Sequence, residues 1–271
     1  MNIIKEYTGK QSLIQFGLIF SIVIAVFFLG LIEWTDMLAV VILAGMAQIY
    51  SSLERNTKYP RFLYHGLAVL ILGVCFAVYQ HIIPGFNNVL YFDKIKVSED
   101  AVPFTMYFNV DKLLAGLILL LFIIPLKTNF REGVKKIWPL FLMTIVLLLS
   151  LATLFHFVRF DFKLRSYFLI WGINNLFIVC MAEEVLFRGF LQRHLSVLKI
   201  RYSGVIAIVV AGLGFGLLHW QGGAAYVSYA AVAGIMYGWM YHRSQNIFLN
   251  ILAHFLFNLI HIIFFTYPFL Q

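Results

Sequence analysis

The chain has 271 residues, 62% of them hydrophobic and only 12% charged, with a formal net charge of +8. Soluble domains carry about 25% charged residues, so the composition excludes a water-soluble globular protein and describes an integral membrane one. Its long runs of Leu, Ile, Val and Phe also exclude the short alternating strands of an outer-membrane barrel.

The N-terminus places Lys5 and Lys10 ahead of an apolar run from Leu13 to Ile32. That run is too long for the core of a signal peptide and has no small-x-small cleavage site, so it reads as a retained first span. Spans of about 20 residues are expected at 12–32, 36–53, 62–83, 111–126, 138–158, 167–190, 203–220, 224–242 and 246–267. The fourth is short, and the second is interrupted by Gly45 and Gln48. The expected fold is therefore an all-α, polytopic transmembrane helical bundle of about eight spans (eight or nine). No soluble stretch is long enough for a further domain, so residues 1–271 are expected to form a single integral membrane domain.

Basic residues cluster in every second loop: Lys5 and Lys10, then Arg55, Lys58 and Arg61, then Lys127, Arg131, Lys135 and Lys136. Arg193, Lys199 and Arg201 follow, and finally His242 and Arg243. Such alternation places these loops and the N-terminus in the cytoplasm. It also accounts for the positive charge without nucleic acid, which is not expected as a partner; the lipid bilayer is. Arg159-Phe-Asp-Phe-Lys-Leu-Arg165 is the exception, a basic loop assigned to the outer side. Short loops and a retained N-terminus suit a prokaryotic inner membrane. Within the longest loop, Pro84 to Asp111, the segment Lys94–Val97 alternates polar and apolar residues, as a short strand or an interfacial segment would. The two cysteines, Cys75 and Cys180, lie in separate apolar segments and imply neither a disulfide framework nor a cysteine metal site.

The informative residues lie in the last 110 or so positions. Glu183 and Glu184 sit inside an apolar segment, where a carboxylate costs roughly 2.5–3.5 kcal/mol on insertion scales and needs a partner or a task. Glu184 and Arg188 are four apart, on one helical face, with the acid first. Glu183 points about 100° away from Glu184. The doublet thus divides: Glu184 held by Arg188, Glu183 free to face something else. Downstream, His219 ends the apolar run Phe215-Gly-Leu-Leu-His219, and His254 shares a face with Asn258 four residues on. Taken singly these are compatible with bland roles, an interfacial cap or interhelical glue. His261 reads as interfacial. Tyr226, Ala230, Gly234 and Gly238 recur every four residues, as do Gly212 and Gly216, a spacing that lets helices approach closely in lipid.

Together, Glu183-Glu184-Val-Leu-Phe-Arg188, Phe215-Gly-Leu-Leu-His219 and His254-Phe-Leu-Phe-Asn258 resemble the motifs of the CAAX prenyl protease and bacteriocin-processing (CPBP, or Abi) intramembrane endopeptidases. The resemblance covers about residues 165–260; residues 1–160 are similar only as multi-span membrane sequence. It implies an endopeptidase acting on a membrane-associated protein or peptide. Glu183 would be the base that activates water, with His219 holding that water. His254 and Asn258 would donate to the oxyanion, and Glu184 with Arg188 would brace the helix.

The same residues permit a second reading with zinc on Glu183, His219 and His254, although the helical His-Glu-x-x-His signature is missing. A proton- or ion-coupled transporter is disfavoured by the lack of an internal repeat. A catalytically silent scaffold or chaperone is disfavoured by the intact set of reactive side chains. One difficulty is geometric. If 167–190 and 203–220 are simple full spans, Glu183 and His219 differ in depth by roughly 15–20 Å, so the glutamate helix must be shifted, or the helices tilted or re-entrant.

Overall fold

A computed structural model describes residues 9–55, 58–125 and 129–271. Lys5 and Lys127, used above for topology, lie outside the described residues, as does the side chain of Lys10. Each expected span is met by a helix: α1 (Gly9–Phe28), α2 (Trp34–Arg55), α3 (Arg61–Tyr79), α4 (Val110–Phe122) and α5 (Phe130–Leu154). They are followed by α6 (Phe168–Ser196), α7 (Ser203–Leu217), α8 (Gly223–Ser244) and α9 (Ile247–Phe264). Not all are long enough to cross. Five helices, α2, α3, α5, α6 and α9, are sufficiently long and apolar, and six crossings result if the bent pair α7–α8 counts as one. Helix α4 has 13 residues, about 20 Å of rise against a hydrocarbon core of about 30 Å. The expectation of eight or nine spans is therefore not met by length alone, because several apolar runs fold into helices that stop short.

The long loop contains a two-stranded sheet of β1 (Val89–Ile95) and β2 (Phe104–Phe108), so the strand reading of Lys94–Val97 holds in part and the fold is helical with one hairpin. Large apolar side chains such as Leu70, Val146, Leu169 and Leu213 are exposed on the helices. Acyl chains would cover such side chains without the hydration cost that an aqueous surface carries. The protein is an integral membrane protein.

The chain, expected as one membrane domain, forms two compact units. Met1–Val89 with Asn109–Pro125 makes one, and Leu90–Phe108 with Leu126–Gln271 makes the other. In the first, α2 packs against α1, α3 and α4. Tyr50 and Tyr64 stack at 4.8 Å with their hydroxyls 2.7 Å apart. The Asp36 carboxylate accepts from the Glu33 N–H and so closes the first turn of α2. Buried Asp111 accepts from His81 Nδ1 at 2.6 Å and from Asn88 at 3.0 Å.

The second unit holds the motif residues. Its closest packing is α7 against α8, made by the glycines whose spacing stood out in the sequence. A Cβ on Gly212 would come within 2.7 Å of the Ile235 backbone nitrogen, and one on Gly234 within 2.8 Å of the Gly212 carbonyl. Between these helices the chain bends by 58° at a short turn, Trp220–Gly222. Gly223 leaves the turn at φ +83°, a conformation that suits glycine. The basic loop that broke the topology pattern is also explained: Arg159 pairs with Asp100 at 2.9 Å, and Lys163 with Asp161 at 3.0 Å. Burial pulls the Lys163 amine below its ordinary pKa, and Asp161 pulls the other way. Two of the loop's three cations are thus neutralised locally.

The glycine contacts make a test of the packing. Gly212→Ala should destabilise the folded protein by about 1–3 kcal/mol, as overpacking does. Gly73→Ala, where nothing lies within 4 Å of the added carbon, should cause no loss. Thermal unfolding in detergent separates the two, and equal effects would contradict the packing described.

Candidate active site

Helix α6 brings the glutamates to the centre of the second unit. It is unusually irregular: Asn175–Cys180 and Val185–Gln192 are π-helical, and the short α-helical stretch Met181–Glu184 lies between them. Such π segments within α-helices occur frequently at functional sites.

The doublet divides as its angular spacing required. Glu184 is fully buried, while the Glu183 side chain is 13% exposed. Four bonds from three side chains converge on or around Glu184. Arg188 Nη1 donates to Oε1 at 3.0 Å, and His254 Nδ1 donates to the same oxygen at 2.9 Å. Asn250 Nδ2 donates to Oε2 at 2.8 Å and to the Tyr237 carbonyl at 3.0 Å. Arg188, also fully buried, uses Nη2 on the Gly234 carbonyl at 2.9 Å. One turn on, Gln192 reaches the Gly238 carbonyl at 2.8 Å. Both carbonyls belong to glycines of α8, where no side chain stands in the way. The guanidinium carbon lies 4.6 Å from the Phe215 ring centre, 5.5 Å from Tyr237 and 5.8 Å from Phe187. Aromatic faces and a carboxylate together replace the water that Arg188 gives up.

His254 is held on every side. Its ring stacks on Tyr237 at 4.8 Å and meets Phe215 edge-on at 5.6 Å. Because a carboxylate can only accept, Nδ1 carries the proton shared with Glu184. That leaves Nε2 facing Glu183 Oε2 at 4.0 Å. His219 packs on the same Phe215 ring at 4.9 Å and donates from Nδ1 to the Phe215 carbonyl at 2.8 Å. This bond fixes its tautomer, and Nε2 of the neutral ring is an acceptor.

Phe215 thus lies between the two motif histidines. The depth difficulty is eased by the fold: α7 is only 15 residues long, and His219 sits at the α7–α8 bend rather than at the end of a full crossing. Asn258 is a motif residue whose hydrogen bonds lie outside the Glu184 network. Its amide donates to Asn175 Oδ1 at 3.2 Å and to Cys180 Sγ at 3.6 Å, so it is tied to α6 one turn from the carboxylates and not to Glu183.

Sequence reading missed Asn250 and Asn175. The signal was present: Asn246, Asn250, His254 and Asn258 recur every four residues on α9. Phe187 and Phe215 enclose Arg188, whereas Trp220 at the bend is 62% exposed. His261, read as interfacial, donates to the Thr266 carbonyl at 3.1 Å. Among the described residues no three His, Cys, Asp or Glu side chains are gathered to hold a metal ion. The alternative set Glu183, His219 and His254 does not fit a zinc ion as placed.

The network predicts unequal costs. Arg188→Met should destabilise the protein by about 3–5 kcal/mol, because it strands a buried carboxylate. Asn250→Leu should cost about 1–3 kcal/mol by leaving one Glu184 oxygen without its donor. Chemical or thermal unfolding of the purified variants measures both, and an Arg188→Met protein as stable as the parent would contradict the pairing.

Residues 165–260 match the family model described as type II CAAX prenyl endopeptidase Rce1-like. No curated protein and no solved structure matches the chain.

Proposed function

Because residues 165–260 match a family model described as type II CAAX prenyl endopeptidase Rce1-like, we propose that the chain is an intramembrane endopeptidase in which Glu183 activates the hydrolytic water. The observation that carries this reading is the division of labour between the carboxylates. Every described partner in the network is spent on Glu184, while Glu183 is partly exposed and its nearest cationic partner, His254 Nε2, stands 4.0 Å away. That separation is too long for a direct hydrogen bond and suits two bonds through one water.

The chemistry follows from the fixed protons. A water beside Glu183 gives one hydrogen bond to the carboxylate and one to the Nε2 lone pair of His219. Its oxygen attacks the carbonyl carbon as Glu183 takes the proton, and Glu183 later returns that proton to the leaving amine. The oxyanion needs donors. His254 donates from Nε2 only when its ring carries both protons, and the charge count then closes: two carboxylates against one guanidinium and one imidazolium. Asn258 becomes the second donor by exchanging its long contact to Cys180 Sγ for the oxyanion, while Asn175 keeps the other amide hydrogen. Preorganised donors of this kind contribute roughly 2.7–4 kcal/mol each. The reaction is written without a metal. The substrate is a protein or peptide whose scissile bond lies in or next to the bilayer, and the basic loops and N-terminus face the cytoplasm.

Released fragments compared between membranes carrying the parent and Glu183→Gln should reveal the substrate. With a peptide spanning that cleavage site, Glu183→Gln should lower kcat by at least about 100-fold. His219→Ala should abolish cleavage while folded yield is kept; His254→Ala should also abolish it, with a further loss of about 1–3 kcal/mol in stability because buried Glu184 loses a donor. Full activity of Glu183→Gln would overturn the assignment of the base. Activity should also survive a strong chelator; its loss, with restoration by zinc, would contradict the metal-free reaction.

A further inference from the structure

The two ends of an amide side chain are nearly the same shape, so packing alone does not decide which end faces a site; hydrogen bonds do. For Asn258, the donor read above for the oxyanion, that decision falls to α6. Its Nδ2 donates to Asn175 Oδ1 at 3.2 Å and lies 3.6 Å from Cys180 Sγ. Asn175 Oδ1 also accepts from the Cys180 thiol at 3.2 Å. One carbonyl oxygen thus collects two donors, and three side chains turn their polar atoms to a single point between α6 and α9. Asn175 and Cys180 are both buried, so water competes little for that oxygen.

The backbone is shaped for this meeting. In an α-helix, residues five apart point about 140° away from each other, and Asn175 would not share a face with Cys180. Asn175–Cys180 is instead a π turn, bonded i→i+5, which stacks the two. This turn packs directly against α9. It ends immediately before Met181–Glu184, the stretch that carries both carboxylates.

The two hydrogens on Asn258 Nδ2 lie in one plane at a fixed angle, so anchoring one sets the direction of the other. Their acceptors differ in strength. An amide oxygen holds a donor firmly, whereas a sulfur at 3.6 Å holds it weakly. The hydrogen on the sulfur is the one released to a better acceptor.

We propose that Asn175 is a positioning residue for the oxyanion: it keeps one Asn258 hydrogen throughout the reaction and so aims the other, given up by Cys180 Sγ, at the developing negative charge. This rests on the reading of Asn258 as an oxyanion donor. An Asn175 kept only to join α6 to α9 would support stability and leave kcat alone.

Asn175→Leu keeps much of the shape and removes the acceptor. In the full-length protein reconstituted in lipid, with a peptide identified as above, kcat should fall about tenfold while KM stays within about twofold. In an Asn258→Ala background the same change should move kcat by less than about twofold, because the donor it aims is gone. Equal losses in both backgrounds, or no loss in either, overturn the proposal and leave the protease reading standing. A parent protein that releases no fragment absent from Glu183→Gln sinks the protease reading and the proposal with it. Should Asn175→Leu fold poorly, Asn175→Ser keeps a polar group but withdraws its oxygen from Asn258. Its loss of kcat must show the same dependence on Asn258, and equal losses in the two backgrounds overturn the proposal.

Discussion

A buried carboxylate, Glu184, is the interaction on which the second unit depends. Alone in an apolar bundle it would be untenable, and the structure answers with a guanidinium from its own helix, an amide and an imidazole from α9, and three aromatic rings around the guanidinium. Each partner comes from an element that must be correctly packed to reach it. The carboxylate therefore couples α6 to α9 directly and to α8 through Arg188 and the Gly234 carbonyl. Buried networks of this kind add little net stability over an apolar core; what this one supplies is a unique arrangement, because any other leaves a charge unpaired.

Function follows from that arrangement. Glu184 orients His254, so the imidazole presents Nε2 toward Glu183. Phe215 spaces the two histidines and stacks on Arg188, and the bend after α7 brings His219 inside the bundle. Preorganisation of this sort is costly to build and needs no reorganisation during the reaction. The close α7–α8 contact, made possible by Gly212, Gly216 and Gly234, keeps those distances fixed.

Much of this was legible in the chain. Apolar runs gave the helices but not all their limits, since α5 starts at Phe130 and α6 runs on to Ser196; the four-residue spacing gave the Glu184–Arg188 pair, and the glycine repeat gave the tight helix contact. Span count was less legible, because hydropathy marks an apolar segment but not whether its helix reaches across: α4 and α7 read as spans and end early. The hub itself was hidden. Asn250 looks like one more polar residue on a helix, and that it meets Glu184 depends on a contact 66 residues away in sequence. The sequence cast Asn258 as an oxyanion donor, and its contacts with Asn175 and Cys180 are ones that no local spacing announces.

The central claim is that the two adjacent carboxylates are electrostatically distinct, one built into the scaffold and one left available. Double-mutant cycles on unfolding free energy test it most directly, combining Arg188→Met with Glu184→Gln and, separately, with Glu183→Gln. The account expects a coupling of roughly 1–3 kcal/mol for the Glu184 pair and close to zero for the Glu183 pair. Equal couplings, or a larger one for Glu183, would mean that the doublet is not divided and that the base has been assigned to the wrong residue.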